Sequence, residues 1–336
     1  MRIPLAFTLL LCMIISFVCS QRSIRIAGGT PASLGQFPYQ VFVQITASQG
    51  VFSCGGAIIN NRHILTAAHC VAYSGVSTIT IVSGTIGIRS VPSKKLAYVS
   101  HYTYHQSFSR QNLQNDIAIL QLYNPLTFDN TTSALSIATG NPAQGVKLSA
   151  SGWGFTEVGR SSSNLLFTEI TVADNKNCAQ QFGAIYNPLT QICMVAGAPT
   201  DTCEGDSGGS ISVKVDGEWC SVGIVSYGPS DCGKGDDEFA VYTKVSAFVP
   251  WINTQISNLS GLRNPTSLGN NPPAVLVNAV TTSSNSDTSQ IETKPLPESQ
   301  REAASGSDTV SGSSLLKRDW STLGWISLVL LSVLVL

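Results

Sequence analysis

Short apolar segments recur along the first two-thirds of the chain, separated by glycine, proline, asparagine and serine. Runs of about four to eight residues rich in valine, isoleucine and threonine, with such residues between them, predict β-strands. Many short strands at this spacing favour an all-β barrel or sandwich. The predicted strands cover residues 40–45, 57–60, 63–66, 78–82, 96–100, 116–122, 147–151, 165–172, 191–195, 210–215, 221–227 and 240–245.

The segment after the last predicted strand has a different period. Residues 246–258 carry Pro250 near their start and place apolar side chains close to helical spacing. A proline in the first turn suits a helix, because the first N–H groups have no intrahelical partner. We therefore predict a C-terminal helix after the β-rich region. Its apolar positions are Phe248, Trp251, Ile252 and Ile256.

Composition changes again after this helix. Residues 258–319 are rich in serine, threonine, asparagine and proline and poor in aromatic residues. Such a segment cannot bury enough apolar surface to offset the entropy lost on ordering, so we predict a disordered stalk. A tail without any role is the alternative.

The final segment, 320–336, is almost wholly apolar from Leu323 onward, and small residues precede it in the predicted stalk. Small residues, a polar spacer and a short apolar tail are typical of a glycosylphosphatidylinositol (GPI) attachment signal. A single-pass membrane anchor is the alternative, but it needs about 20 apolar residues and usually basic residues on the cytoplasmic side. The lipid anchor is therefore the favoured interpretation.

The N-terminal segment has the pattern of a secretory signal. Arg2 precedes an apolar run at 5–18, and small residues lead to Ser20. This pattern predicts a signal peptide over 1–20 with cleavage after Ser20. A transmembrane helix is the alternative, and the run is short for one. We expect an extracellular protein, secreted or attached to the outer cell surface.

Charge gives no sign of a nucleic-acid partner. The formal net charge is -1 and 12% of residues are charged, whereas soluble domains average about 25%. Without excess positive charge, the chain has no field that would attract a polyanion. The sequence also lacks CxxC and HExxH spacings, so we predict neither a metal site nor another cofactor.

Cysteines and glycosylation sequons fit an oxidising, extracellular compartment. Removal of the predicted signal would leave an odd number of cysteines, of which most should pair and one should remain. Asn130 and Asn258 each begin an Asn-X-Ser/Thr sequon. Both are predicted glycosylation sites.

Residues 205–209 carry the first chemical signal, because Ser207 lies between Asp206 and two glycines. A serine hydroxyl is a weak nucleophile at neutral pH and needs a base, together with donors for the developing oxyanion. Glycines permit the sharp backbone turn that would aim N–H groups at one point. A glycine-rich loop without chemistry is the alternative for this pentapeptide alone.

Two further motifs supply a base and a carboxylate. His69 follows one predicted strand, and Asp116 opens another. Taken alone, each would be interpreted as a structural or turn residue. The order histidine, aspartate, serine is, however, one in which Ser-His-Asp triads occur. We therefore predict that Ser207 is the nucleophile, His69 its base and Asp116 the residue that orients His69.

With these motifs in place, residues 26–257 resemble a trypsin-like serine peptidase of the chymotrypsin family. The stretches that carry the resemblance are Ile26-Ala27-Gly28-Gly29, Cys54-Gly55-Gly56, the His69 and Asp116 motifs, Gly152-Trp153-Gly154, residues 205–209, Ser226-Tyr227-Gly228 and Val241-Tyr242-Thr243. The resemblance implies an all-β fold of two six-stranded Greek-key barrels with the active site between them. It also implies a secreted endopeptidase that works through an acyl-enzyme.

The same resemblance implies roles for the residues around the nucleophile. The backbone N–H groups of Gly205 and Ser207 would form the oxyanion hole. Ser226 would line the substrate backbone and approach Asp116.

The resemblance further implies a substrate preference. Asp201 would form the floor of the primary pocket and favour arginine or lysine, because a partly desolvated carboxylate is unfavourable when unpaired. Gly228 fits an open pocket wall. Ala240 departs from the glycine usual in trypsins and adds a methyl group, while Phe239 and Tyr227 also depart from common residues, so subsite detail stays open.

Activation is implied by cleavage between Arg25 and Ile26, which would remove a propeptide at 21–25. The new ammonium group of Ile26 would pair with Asp206, because a buried carboxylate is costly unless paired. This pairing would reorganise the nucleophile loop and complete the oxyanion hole.

The family pattern also implies three disulfides and leaves Cys220 without a partner. For Cys220 a buried free thiol is the favoured interpretation, and an intermolecular disulfide is the alternative. The implied pairs are Cys54 with Cys70, Cys178 with Cys193, and Cys203 with Cys232.

Two other functions stay open. A catalytically weak or silent homologue could act as a binding protein, although the presence of all three triad residues argues against it. An active peptidase could also have a non-tryptic preference. The expected partners are protein or peptide substrates with arginine or lysine, and could include protein inhibitors. We expect no nucleic acid, membrane contact only through the lipid anchor, and a monomer.

Overall fold

In a computed structural model of the protein, the described residues are 29–155, 161–196, 202–203, 205–229, 239–262 and 276–277. Their strands form two closed antiparallel barrels of six strands each. A two-residue strand, β1 (Thr30–Pro31), comes first. The N-terminal barrel then contains β2 (Gln40–Ala47), β3 (Gly50–Asn60), β4 (His63–Thr66), β5 (Thr78–Ser83), β6 (Leu96–Tyr104) and β7 (Ala118–Leu122). Its order is β6-β5-β2-β3-β4-β7, and the pairing of β7 with β6 closes it.

The second barrel follows β8 (Ser136–Ile137). It contains β9 (Lys147–Gly152), β10 (Leu166–Val172), β11 (Gln191–Ala196), β12 (Ser210–Val215), β13 (Glu218–Tyr227) and β14 (Phe239–Lys244). The order is β10-β11-β14-β13-β12-β9, and β9 pairs with β10 to close the ring. A last two-residue strand, β15 (Leu276–Val277), pairs in parallel with β6. The predicted fold class is therefore confirmed.

Three α-helices accompany the barrels in the described residues: α1 (Ala68–Val71), α2 (Asn175–Phe182) and α3 (Val249–Ser260). Short 3-10 turns cover Ser93–Lys95, Gly183–Ile185 and Val245–Phe248. The predicted C-terminal helix is present as α3, with a proline in its first turn. It continues past residue 257, where the predicted peptidase domain ends, because Leu259 still packs into the core and is 1% exposed.

Alternating burial explains why these segments form barrel strands. In β2, Val41, Val43 and Ile45 are fully buried, whereas Phe42 and Gln44 on the opposite face are partly exposed. Burial of such side chains contributes about 1.5–3 kcal/mol each, which favours closure around one apolar interior. The strands of each barrel therefore bring residues distant in sequence to a shared core and a shared seam.

Some boundaries differ from the sequence-based expectation for identifiable reasons. Strand β3 begins at Gly50 rather than at 57, because the glycines at 55 and 56 continue the strand instead of ending it. A Cβ on Gly56 would lie 2.9 Å from Ile64 and 3.1 Å from Val41. Helix α2 was not predicted, although Asp174 caps it by accepting a hydrogen bond from the backbone of Lys176.

No helix among the described residues has the length and apolar character needed to cross a membrane. The predicted signal peptide (1–20), propeptide (21–25) and C-terminal tail (320–336) lie outside the described residues. The same holds for most of the predicted stalk (258–319). Its first residues, 258–260, belong to α3.

Candidate active site

His69 and Asp116 both come from the N-terminal barrel. Helix α1, which directly follows β4, carries His69, and Asp116 lies just before β7. Asp116 is fully buried, and its Oδ2 accepts a hydrogen bond from His69 Nδ1 at 2.7 Å. Its Oδ1 accepts a second from the backbone N–H of His69 at 2.8 Å. With Nδ1 donating to the carboxylate, Nε2 is left as the acceptor of the neutral ring.

The second barrel completes the surroundings of Asp116. Ser226 on β13 donates its hydroxyl to Asp116 Oδ2 at 2.6 Å. Thr243 on β14 donates to the backbone carbonyl of Asp116 at 2.8 Å. A buried carboxylate is tolerated when its oxygens are hydrogen-bonded, so three donors account for its burial. Asp116 thus fastens the two barrels together at the site.

The turn before Asp116 adopts an unusual backbone conformation. Leu113 and Asn115 have φ angles of 50° and 54°, in a region that only asparagine and a few other non-glycine residues enter readily. The side chain of Asn115 donates to the carbonyl of Ser107 at 2.8 Å. This turn directs Asp116 inward at the point where the chain enters β7.

The main chain around Ser207 is held by both barrels. Gly55 of β3 donates its N–H to the carbonyl of Ser207 at 2.8 Å, and Gly208 donates to the carbonyl of Val225 at 2.9 Å. Gly208 has a φ of 80°, and a Cβ there would collide with the hydroxyl of Thr66. Only glycine fits at this position, so the nucleophile turn is fixed by steric contact as well as by hydrogen bonds.

Two backbone donors remain available beside Ser207. The N–H groups of Gly205 and Ser207 donate to no described residue, whereas that of Asp206 donates to the carbonyl of Cys203 at 2.9 Å. Gly205 has a φ of 95°, and a Cβ there would lie 3.0 Å from Gly154 Cα. Among the described residues, the turn therefore presents two N–H groups without a partner, of the kind that stabilise an oxyanion.

His69 and the main chain of Ser207 both lie close to one cysteine sulfur. Cys70 Sγ is 3.8 Å from His69 Nε2 and 3.6 Å from the carbonyl oxygen of Ser207. Among the described residues, no hydrogen bond joins the Ser207 hydroxyl to His69. Such bonds are often long in free enzymes and tighten when substrate binds.

Asp206 is the second buried carboxylate of the site, at 1% exposure. Its Oδ1 accepts from the N–H of Gly154 at 2.7 Å, and its Oδ2 accepts from that of Cys203 at 3.0 Å. Burial raises the pKa of Asp206 to about 6, and these two N–H groups offset part of that rise. Among the described residues, no cation lies within ion-pair distance of Asp206.

The Gly152-Trp153-Gly154 segment provides the space for this carboxylate. A Cβ on Gly154 would lie 2.5 Å from Asp206 Oδ2, and one on Gly152 would collide with Oδ1. The indole N–H of Trp153 donates to the carbonyl of Ile86 at 2.8 Å and fixes the segment between the glycines. The sequence motif was recognised, but its function as a seat for Asp206 required the structure.

Residues of the predicted primary pocket are partly described. Gly228 and Ala240 face each other, because a Cβ on Gly228 would lie 3.1 Å from that of Ala240. Thr202 and Tyr242 join their hydroxyl groups at 2.7 Å. Asp201 lies outside the described residues, as do the predicted activation residues Arg25 and Ile26.

The structure contains disulfides between Cys54 and Cys70 and between Cys178 and Cys193, the first of which closes the loop that carries His69. Cys203 is also disulfide-bonded, and Cys232 lies outside the described residues. Cys220 is free and half-buried rather than fully buried, and burial raises the pKa of its thiol.

The sequons at Asn130 and Asn258 are exposed. Although Cys54, His69 and Cys70 lie close together, their two sulfurs form a disulfide and cannot bind a metal as thiolates.

Sequence reasoning missed several residues that support the triad. Thr66 donates to the carbonyl of Gly55 at 2.8 Å, and Gly55 in turn holds Ser207. Thr243 holds the backbone of Asp116. Both threonines belong to or adjoin motifs that carried the resemblance, but their contacts cross between strands far apart in the chain.

Comparison with known proteins gives one consistent result. The model of the Trypsin family matches residues 26–252. CLIP domain-containing serine protease B4 of Anopheles gambiae is 31% identical, over 70% of this chain and 71% of that protein. Trypsin delta of Drosophila melanogaster is 34% identical, over 68% of this chain and 87% of that protein. The solved structure of HL collagenase aligns with a TM-score of 0.62 and 24% identity, covers 68% of this chain and 97% of its own, and supports the fold alone.

Proposed function

The chain belongs to the trypsin family and is a serine endopeptidase, and we propose that Ser207 is its nucleophile, His69 its general base and Asp116 the residue that orients the base. The observation that carries this assignment is the buried Asp116 carboxylate, which binds both the ring and the backbone of His69. Ser207 is held beside them by the hydrogen bond from Gly55.

The chemistry follows from these positions. The Ser207 hydroxyl oxygen attacks the scissile carbonyl carbon while its proton passes to His69 Nε2, and Asp116 stabilises the imidazolium. The N–H groups of Gly205 and Ser207 receive the oxyanion. His69 then gives its proton to the departing amine, which leaves an acyl-enzyme. Water repeats the sequence and releases the carboxylic acid product and free Ser207.

The proposed substrates carry arginine or lysine at the cleaved bond. Asp201 would pair with their positive charge at the floor of the pocket. Ala240, which lies close against Gly228, would narrow the space above that floor. Ser226 would line the path of the substrate backbone, in addition to donating its hydroxyl hydrogen bond to Asp116.

The protein is proposed to be made as a zymogen that is activated by cleavage between Arg25 and Ile26. Support comes from Asp206, which is buried without a cation among the described residues and has its pKa raised to about 6. The ammonium group of Ile26 would supply the missing charge and fix the adjoining oxyanion loop.

The proposed domain organisation is a signal peptide (1–20), a propeptide (21–25), a peptidase domain (26–257), a stalk (258–319) and a GPI-attachment segment (320–336). Disulfides and exposed sequons at Asn130 and Asn258 fit secretion. Release of the protein from cells by a phosphatidylinositol-specific phospholipase would support the lipid anchor. Complete resistance to release would contradict it.

The test of the proposed activity uses the chain cut after Arg25 and four matched peptide amides with arginine, lysine, phenylalanine or leucine before the scissile bond. We expect turnover of the arginine and lysine substrates only. Turnover of phenylalanine or leucine would contradict the assigned preference. No turnover of any substrate would contradict the catalytic assignment and favour the alternative, a silent homologue that acts as a binding protein.

A further inference from the structure

The four histidines of the chain divide into one at the active site and three around helix α3. His63 on β4 and His101 on β6 both pair in register with Gln121 of β7. Residues opposite each other on adjacent strands share one face of the sheet. The side chain of Gln121 donates to the carbonyl of Leu259, in the last turn of α3, at 2.8 Å. His63 and His101 therefore flank the hydrogen bond that fastens the end of this helix.

The third histidine contacts the start of the same helix. The His105 ring lies 5.5 Å from the rings of Phe248 and Trp251, measured between centroids. Its Nδ1 accepts a hydrogen bond from the N–H of Ser107 at 3.1 Å. A proton added at Nδ1 would remove this acceptor, so the contact requires a neutral ring.

The surroundings of His63 also suit only the neutral ring. His63 is 2% exposed, and its Nδ1 lies 2.9 Å from the Asn60 amide oxygen, which can only accept. The proton is therefore on Nδ1, and Nε2 has no hydrogen-bond partner in the described residues. Gln121 Oε1 and Trp251 Nε1 are likewise buried without a described partner. Several buried polar atoms beneath α3 thus lack a hydrogen-bond partner among the described residues even when the histidines are neutral.

Among the described residues, the strands and the helix packed around the three rings carry no acidic side chain. Helix α3 has no charged residue, and strands β4 and β7 contribute none besides His63. The only titratable side chains of strand β6 besides His101 are tyrosines. The charge that acts on His63 is Arg62, which has the same sign as a protonated ring. A buried cation without a counter-ion is strongly unfavourable.

We propose that the seat of helix α3 on the N-terminal barrel is an acid-sensitive latch, closed while His63, His101 and His105 are neutral and released when they are protonated. Protonation of His63 at Nε2 creates a donor whose register neighbour, Gln121, has an unpartnered Oε1. Protonation therefore leaves a buried positive charge beside the amide that holds Leu259, which is unfavourable while α3 stays seated. Release is thus expected to begin at the last turn of α3, which Gln121 holds.

The direction of the pH effect follows from linkage. Burial lowers the pKa of His63 from 6.5 to about 4, and burial also lowers the pKa values of His101 and His105, although the neighbouring Gln121 side chain offsets part of the fall at His101. The released state binds protons first as pH falls below 6.5, so the latch weakens between 6.5 and 4. For His63 alone the release equilibrium shifts by about 80-fold over this interval. The raised pKa of Asp206 makes its contribution to stability grow as pH falls, which is the opposite direction. This contribution is the same in all the variants compared.

The test is hydrogen exchange of α3 at pH values from about 7.5 to 4.5, corrected for intrinsic rates, in the full chain carrying Ser207→Ala to prevent self-cleavage. We expect protection of α3 to fall at least about tenfold more than that of α2. With His63, His101 and His105 all changed to glutamine, this difference should disappear. His69→Gln, which removes the one histidine outside the cluster, should leave it intact.

Equal loss of α3 protection with and without the three histidines would overturn the proposal, as would no loss in either. If the triple variant does not fold, imidazole titration by NMR in the Ser207→Ala chain decides instead. Three histidines with pKa values below the ordinary 6.5, titrating together with the loss of α3 signals, would support the latch. Titration near 6.5 with α3 intact would exclude it.

Discussion

Each barrel buries one carboxylate of the active site, and the two carboxylates differ in how completely they are satisfied. Asp116, from the N-terminal barrel, accepts two hydrogen bonds from His69 and one from Ser226. Among the described residues, Asp206 of the second barrel accepts hydrogen bonds from only two backbone N–H groups, and burial raises its pKa to about 6. The carboxylate that orients His69, the proposed base, thus has hydrogen-bond donors to both of its oxygens. The proposed nucleophile turn depends on a carboxylate that has no cation partner among the described residues, so we infer that control of activity acts on the second barrel.

The largest expected effect comes from the satisfied carboxylate. Asp116→Asn keeps the shape but replaces an acceptor oxygen with an NH₂ group, so the His69 ring loses the partner that holds its tautomer. We expect kcat to fall by about 10⁴-fold with little change in KM. Active-site titration and steady-state kinetics of the cut enzyme would measure this.

Asp216→Asn is the matched control, because Asp216 is exposed and has a φ of 51°, which asparagine tolerates. It should leave kcat unchanged. A drop of less than tenfold for Asp116→Asn would remove Asp116 from its proposed role.

A smaller but still large effect on activity is expected from the proposed partner of Asp206. Ile26→Gly keeps the new ammonium group but removes the side chain that would anchor it beside Asp206. We expect kcat/KM to fall by at least about 100-fold, comparable to the loss of one oxyanion donor. Activity of the wild-type enzyme should also fall at high pH, because an α-amino group ordinarily has a pKa near 8, raised when it pairs with a carboxylate.

The uncut chain provides the complementary measurement. With its pKa raised from 3.8 to about 6, Asp206 contributes stability that is present below pH 3.8 and is lost as pH rises through about 6. Urea unfolding of the uncut chain, with and without Asp206→Asn, should show this contribution, and cleavage after Arg25 should abolish it. Wild-type rates for Ile26→Gly would contradict the activation mechanism.

Gly154→Ala tests the seat of Asp206 without touching either charge. The added methyl group would lie 2.5 Å from the carboxylate, so either Asp206 or the 152–154 segment must shift. Overpacking of this kind costs about 1–3 kcal/mol, and we expect a loss of roughly 10- to 100-fold in kcat with a smaller change in KM. Gly140→Ala is the control, because a Cβ there meets nothing within 4 Å. Equal kinetics for both variants would show that the seat does not position the loop.

Features set by neighbouring residues could be predicted from the sequence, whereas contacts between distant strands could not. The barrel strands and the triad motifs were predictable because alternation and motif order are local in sequence. The first half of β3 was missed, because Gly55 and Gly56 look like breaks until the side chains packed against them are known. The contact of Gly154 with Asp206 and the convergence of His63 and His101 on Gln121 arise only when the barrels close.

The smallest expected effect concerns substrate choice and not the catalytic groups. The methyl group of Ala240 occupies the wall opposite Gly228, so Ala240→Gly should admit the broad guanidinium group more easily while a slender lysine gains little. One methyl group in a pocket is worth about 1–3 kcal/mol at most. Because this wall is also open to solvent at Gly228, we expect the ratio of kcat/KM for arginine over lysine to rise by no more than about tenfold. Ala143→Gly, at an exposed position outside the pocket, should leave the ratio unchanged. If Ala240→Gly changed kcat/KM equally for the arginine and lysine substrates, residue 240 would affect the loop as a whole and would not contact the substrate side chain selectively.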